Sequence, residues 1–434
     1  SQDIAIDSDD DQQIDSSGNI TISAAGITGT SNTLDITGDG GGDRTLSLTN
    51  TSTGGANAAL NVLTDQFDTI TLVQNDSDSR LDIALSTGAD VIDINGSTDA
   101  AIINSVVTST AAIDFSFENA EASKDITVTS LLTGAGSATL IADRDINITT
   151  LTSTGNILVK ADHDIDINGT ITGDTGSNVS LFAAKTGGTN GTIVDGGGKI
   201  VMGTGDLLLS AGDGIGTSDD KIEIEGLDDL AALTATNGIF LNNSSSGDIE
   251  IKAVTADGVT VTGAQSTTGG AISITNAATD KNIQVSAVVT AASGGVTLNA
   301  NDVLDIDAAV TATGSTIDLD GKSIDIDANV AGAGNTALDA SAGTIDVATT
   351  KRVTTSSGNI TITASGEITL NDATNGTTET VANTGTGNIT LTSSAAGVTL
   401  KDDAIKIGDG VLTITASQDI AIDSDDDQQI DSSG

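Results

Sequence analysis

The chain has 434 residues, 61 of them acidic and 15 basic, for a formal net charge of −46. That balance excludes nucleic acid and anionic membrane surfaces as partners, because gripping phosphates takes Lys and Arg. Cys, Pro, Trp and Tyr are absent and Phe occurs five times, which rules out a disulfide framework and an aromatic-filled globular core. Aliphatic residues must do the filling, as suits a thin repetitive interior. Hydrophobic residues make up 37% of the chain and recur with strand period, which argues against disorder. No apolar run approaches the length of a membrane span.

The N-terminal stretch is one the chain contains twice. Residues 1–18 read SQDIAIDSDDDQQIDSSG, and residues 417–434 read the same eighteen letters. The offset between the copies reads as the period of a tandem array. Residues 1–416 are then one repeat unit, a continuous solenoid, and 417–434 are the start of the next. The chain starts at Ser1 with neither Met nor a leader, so any export signal is expected outside it.

Within the duplicated stretch, Asp7, Asp9, Asp10 and Asp11, with their copies Asp423, Asp425, Asp426 and Asp427, are the candidate metal ligands. Calcium takes six to eight oxygens from carboxylates and carbonyls, and four Asp followed by Gln12 and Gln13 offer several. The cluster lacks the Gly and Glu positions of an EF-hand loop. A solvated acidic loop is the plainer reading of the same residues.

After the first copy, short strands follow with alternate aliphatics flanked by Asp, Asn, Ser, Thr or Gly: Ile20 with Ile22, Leu34 with Ile36, Leu46 with Leu48, Leu60 with Val62, Ile70 with Leu72. Such alternation places the aliphatics on one face and the small polar residues on the other. Residues 38–43 and 51–57 are rich in Gly, Ser, Thr and Asp and read as projecting loops. Strands resume at Leu81 with Ile83 and continue through Phe115 with Phe117 and Ile126 with Val128.

The middle is the most regular region. Ile157, Val179, Ile200 and Ile222 follow one another at nearly even spacing, and so do Ile249, Ile272, Val296 and Ile317. His163, the one histidine, reads as a turn residue rather than a catalytic group or ligand. Gly196–198 reads as loop glycine, since no Gly-Lys-Ser/Thr follows to make a phosphate loop. Gly212-Asp213-Gly214-Ile215-Gly216 is similar to a calcium turn of β-roll proteins without completing the nonapeptide. Residues 227–233, LDDLAAL, carry the one helical spacing and predict a single turn or a short helix on a loop.

A period of about 20–24 residues with two or three strands in each points to a solenoid. Leucine-rich repeats are excluded by the missing Leu/Asn pattern, and helical repeats by the period of two. The predicted fold is all-β, a right-handed parallel β-helix. Asn, Asp and Gly at the turns tolerate left-handed backbone, and the absence of Pro suits strands paired on both edges. At about 4.8 Å per coil, one tandem unit stacks to an axial rise of about 90 Å.

In the last third, Ser356-Ser357-Gly358-Asn359-Ile360-Thr361-Ile362 matches residues 16–22, and Gly387-Asn388-Ile389-Thr390-Leu391-Thr392 repeats it. This G-N-I-T-L-T arrangement, followed by strands such as Gly366-Glu367-Ile368-Thr369-Leu370, resembles the repeats of filamentous-haemagglutinin-like proteins. The likeness covers scattered rungs, most densely over 126–170 and 356–422. The resemblance implies a β-helical adhesin exported by bacteria, with an extracellular or cell-surface location. That family's N-terminal secretion domain is not visible in these residues.

The expected role is a structural unit of a giant surface fibre, whose partners are neighbouring copies stacked head-to-tail, with divalent cations suited to the charge. Two rivals belong to other classes. One is an adhesin contacting surfaces through loops at 38–57 or 226–247, and the other is a calcium-dependent surface-layer or sheath protein. No enzyme is expected, since the chain has no Trp or Tyr platform for a sugar and its basic residues are dispersed.

Overall fold

A computed structural model describes residues 115–118, 125–132, 136–184, 190–371, 379–401 and 404–422 with their side chains. Elsewhere it describes Thr21, Ile22 and the backbone of strands from Ile4–Ile6 to Ala100–Thr108 and of Ile430–Ser432. The chain divides into two compact parts, Ser1–Gly205 and Asp206–Gly434. Each is a β-solenoid of short parallel strands stacked coil on coil, and the described residues contain no helix. None is therefore long and apolar enough to cross a membrane.

In the first part, like residues fall on one another because the strand period repeats from coil to coil. Ile126, Ile146, Ile165 and Ile193 occupy one register position on successive coils. Leu131, Leu151, Ile171 and Ile200 occupy another. All eight are buried, while the residues between them face outward. A second face stacks Phe115, Ala138, Ile157 and Val179. Each fully buried aliphatic contributes roughly 1.5–3 kcal/mol before chain entropy is subtracted, so stability accumulates at coil-to-coil interfaces rather than at one centre.

The second part carries three strands per coil from about residue 283 onward. One ladder runs Ile272, Val296, Ile317, Thr336, Ile360, Ile389, Leu412. A second runs Ile283, Leu304, Ile324, Ile345, Ile368, Val398, Ile420. The third is nearly all valine: Val289, Val310, Val330, Val353, Val381, then Ile405 and Ile430.

Coil length varies more than the near-even spacing of aliphatics implies. The coil from Ile146 to Ile165 is short, and the one from Ile249 to Ile283 is much longer. Ladder pairing constrains the strands alone, so extra residues leave the coil at a corner without disturbing the stack. Of the regular steps, 157→179, 272→296 and 296→317 join true neighbours. The step 249→272 does not, since Ile249 pairs with Ile283 and Ile272 lies between Ile239 and Val296. Nor does 179→200, because Ile200 pairs with Ile171. Between Ile249 and Ile272 the chain inserts an antiparallel hairpin, Ala253–Ala256 with Val259–Thr262.

Two local expectations are corrected. Residues 227–233 form no helix: Asp229–Thr234 is a solenoid strand, nearly all buried, paired with Asp206–Ala211 on one edge. The Leu-Ala-Ala-Leu run is apolar throughout because both faces of this strand are covered, one by the core and one by the hairpin, whose Val254 and Val261 are buried. Residues 226–247 are consequently not one projecting loop, since Gly238–Asn243 is a second rung. Thr45–Asn50, the strand expected at Leu46 and Leu48 between the two loops of 38–57, pairs with Ile20–Ala24 and Thr69–Gln74. The segments 39–44 and 51–58 on either side lie outside the described residues.

Candidate functional site

The recurring polar device of both parts is a side chain at a turn that caps the next coil. Asp125 Oδ1 accepts the backbone N–H of Asp145 (3.2 Å), Asp145 Oδ1 accepts that of Asp164 (3.1 Å), and Asp164 Oδ1 accepts that of Thr192 (2.8 Å). In the second part Asn does the same work. Asn335, Asn359 and Asn388 each accept, through Oδ1 at 2.8 Å, the N–H of Asn359, Asn388 and Val411 in turn. The turn Asn that opens each G-N-I-T strand is thus a staple between coils, a role its short side chain permits.

His163 sits in the aspartate ladder. Its Nδ1 lies 3.2 Å from Asp145 Oδ1 and 3.0 Å from Asp164 Oδ2, with the ring 52% exposed. The three donor atoms lie within 4.8 Å of one another, the reach of a single cation. Asp145 Oδ1 and Asp164 Oδ1 each also accept a capping N–H. Arg144 supplies positive charge directly, Nε to Asp145 at 3.0 Å and Nη2 to Asp125 at 2.5 Å. Burial, together with Asp164, Asp145 and Asp125, pushes the neighbouring Asp166 carboxyl above its ordinary range. The group reads as a turn knitted by its own charges.

A groove of about 550 Å³ opens in the second part beside the irregular coil, lined among others by Asp228, Asp248, Glu250, Lys281, Gln284 and Asp305. At its edge Asp206, Asp229 and Glu250 stand in register on successive coils. Lys252 Nζ lies 2.5 Å from Asp229 Oδ2 and 3.8 Å from Glu250. Burial and the hydrogen bond with Asp229 push the Asp206 carboxyl up to about 6, so below that pH it keeps its proton and donates a hydrogen bond to Asp229. His163 is not among the groove's lining residues. Chemically the groove offers carboxylates and amine or amide donors, a surface for cations and for hydroxyl-rich ligands.

Other basic residues also clip neighbouring coils. Arg352 and Lys406 both engage Glu379, at 3.4 and 3.0 Å. Burial works to raise the Glu379 carboxyl, but its backbone N–H, Lys406 and Arg352 outweigh it, and it titrates below the usual range. Lys322 bridges Asp280 and Asp302. On the outward faces, by contrast, Asp305, Asp325 and Asp346 stack in register, as do Asp320 and Asp339.

The predicted metal ligands Asp7, Asp9, Asp10, Asp11, Asp425, Asp426 and Asp427 lie outside the described residues. Asp423 is described by its backbone alone, at the end of Ile420–Asp423 in register with Lys401. Of the other glycine stretches, Asp195 Oδ1 accepts the N–H of Gly197 and Gly198 at 2.7 and 2.8 Å, closing a turn in which Gly197 has φ +92°. Asp213 takes the Thr236 hydroxyl of the next coil. Both are solenoid corners.

The hairpin at 253–262 and the Asn staples are the features that sequence reading missed. Asp257-Gly258 between alternating Val and Thr is a strong hairpin signal, and the recurrence of Asn one residue before successive strands marks the staple.

The aliphatics of residues 412–422 are less covered than those one coil before. Val398 and Leu400 are buried, yet Ile420 and Ile422, one coil further on in the same register, are 47% and 51% exposed. Leu412 and Ile414 are half-buried where Ile389 and Leu391 beneath them are fully buried.

No family model, no curated protein and no solved structure matches this chain.

Proposed function

We propose that this chain is a structural repeat of an extracellular bacterial surface fibre, in which copies stack head-to-tail as one continuous β-solenoid. The observation that carries it is the verbatim recurrence of residues 1–18 at 417–434, in a fold whose strands pair with the coils above and below. The resemblance of the G-N-I-T-L-T rungs to filamentous-haemagglutinin-like repeats supports the bacterial surface location. The net charge of −46 keeps such fibres apart laterally and suits a bath of divalent cations. Calcium at Asp7, Asp9, Asp10 and Asp11 and their copies belongs to the same reading.

A second reading has its own support. The groove and the inserted hairpin interrupt the regular coils at residues 228–305, and such an irregularity is where an adhesin would hold a ligand. Electron microscopy of the native material separates the two. Filaments with an axial repeat of about 90 Å support the scaffold, and thinning after chelation adds the calcium. Discrete monomers sink the scaffold and turn attention to the groove.

A further inference from the structure

The duplicated eighteen residues appear at both ends of the chain, each time with a different neighbour. At the C-terminal end, Ile420, Ala421 and Ile422 pair with Val398, Thr399 and Leu400 of the preceding coil. At the N-terminal end, the identical Ile4, Ala5 and Ile6 pair with Ile27, Thr28 and Gly29 of the following coil. The same holds for the second strand of the stretch. Ile430, Asp431 and Ser432 pair backward with Ile405, Lys406 and Ile407, and their copies Ile14, Asp15 and Ser16 pair forward with Ile36, Thr37 and Gly38. Coils advance in one direction, so these are opposite edges of the same strands. Superposing the two views completes a coil with partners on both sides.

We infer that successive copies join in one register. Ile20–Ala24 of the following copy lies on Leu412–Ala416, Ile27–Gly29 lies over Ile420–Asp423, and Leu34–Gly38 lies over Ile430–Ser432. This rests on the tandem reading above and specifies its joint. On the third face, Leu412-Thr413-Ile414-Thr415-Ala416 meets Ile20-Thr21-Ile22-Ser23-Ala24, two five-residue strands of one pattern. Ile20–Ala24 already pairs forward with Thr45–Asn50, and Leu412–Ala416 already pairs backward with Ile389–Ser393. Through the tandem period, the step from Leu412 to the next copy's Ile20 is only one position longer than the step from Ile389 to Leu412.

Sequence supports the alignment independently. Asn359 in Ser-Ser-Gly-Asn-Ile-Thr-Ile is a link of the staple ladder, and Asn19 stands in the same seven letters. The half-exposed Ile420, Ile422, Leu412 and Ile414 are the residues such a coil would cover. One link of the staple ladder is missing at the joint. Val411, 62% exposed, takes the ladder position between Asn388 and the next Asn19 but has no side-chain oxygen with which to cap it.

The test is a two-copy protein, residues 1–416 running directly into a second full chain, with Thr413→Cys in the first copy and Thr21→Cys in the second. The chain has no Cys of its own, and both threonines are exposed. Parallel neighbours stand about 4.8 Å apart, inside the Cα span of a disulfide. Pairing Thr413→Cys with Ser23→Cys instead shifts one partner two residues, about 6.6 Å along the strand, and out of reach. Thr415→Cys with Ser23→Cys supplies a second in-register pair if the first variant misfolds. In-register pairs are expected to oxidise at least tenfold faster than the shifted pair, read by free-thiol titration. If the shifted pair oxidises as fast while micrographs show one unbroken rod, this register is overturned and the stacking reading stands. Two rods joined by a loose link, with neither pair oxidising, overturn both.

Discussion

At the scale of single residues, asparagine does two different jobs, separated by burial. Asn243 and Asn276 share a register position and are both fully buried. Asn243 donates through Nδ2 to Asn276 Oδ1 (3.2 Å), and Asn276 donates to the carbonyls of Gly247 and Asn282 (3.1 and 2.9 Å). Asn359 makes one capping bond at an exposed turn. Removing a buried partner leaves groups that water cannot reach, whereas an exposed N–H finds water at once. Asn276→Ala should therefore cost about 2–3 kcal/mol and Asn359→Ala about 1 kcal/mol or less in urea unfolding. Equal costs would mean that the buried amides are not the specifying contact. The Asn-before-strand pattern was legible in the sequence as a turn. Its bond partner, one coil away, was not.

At the scale of elements, the solenoid tolerates insertion because each coil answers only to its neighbours. The hairpin turns on Asp257 (φ +50°) and Gly258 (φ +74°), the paired left-handed geometry whose twist matches a two-residue hairpin. A Cβ on Gly258 would meet nothing within 4 Å, so Gly258→Ala tests backbone conformation alone and should cost about 1 kcal/mol. Gly238, with φ +99°, is different, because its Cβ would come 2.2 Å from the Ala271 carbonyl oxygen on the next coil. Gly238→Ala should cost about 3 kcal/mol, with the loss of hydrogen-exchange protection spreading to Ala271–Asn276. Two glycine substitutions of similar cost would contradict close coil approach as the reason for Gly238. The misread strand at 229–234 belongs to this scale too: an apolar run covered on both faces has no period left to read.

At the scale of the whole molecule, the excess negative charge sets how stability varies with pH. Burial and then the carboxylates of Asp307, Asp325 and Asp327 push Asp305 up to about 6. Burial and then Asp318 and Asp339 do the same to Asp320. A carboxyl whose folded pKa is raised binds its proton more tightly in the native state, so it adds stability at low pH that is lost as pH rises through about 6. Glu379, held low, acts oppositely, and its contribution is lost as the medium becomes more acidic than its folded pKa. Thermal melts should therefore move up from pH 7.5 to pH 5. They should also move up with added salt, which screens the exposed aspartate stacks. Asp325→Asn, which removes the middle charge of the Asp305–Asp325–Asp346 stack, should raise stability at pH 7 by roughly 0.2–1 kcal/mol. That gain should fade near pH 5. A melting temperature that falls on going to pH 5 would show that the stacks are not repulsive.

The sequence by itself determined the fold class and the inward and outward alternation, because each is a local repetition that requires no knowledge of distant partners. It also marked His163 as a turn residue, though not the aspartates it would lie against. Only the tertiary structure decided which strand stacks on which. The near-even average spacing concealed coils as short as Ile146 to Ile165 and as long as Ile249 to Ile283, since ladder hydrogen bonds constrain strands and leave the corners free to lengthen. It likewise decided that the same eighteen residues carry one edge for the coil before and another for the coil after. Edge pairing is a relation between strands far apart in the chain, and strand period cannot encode it.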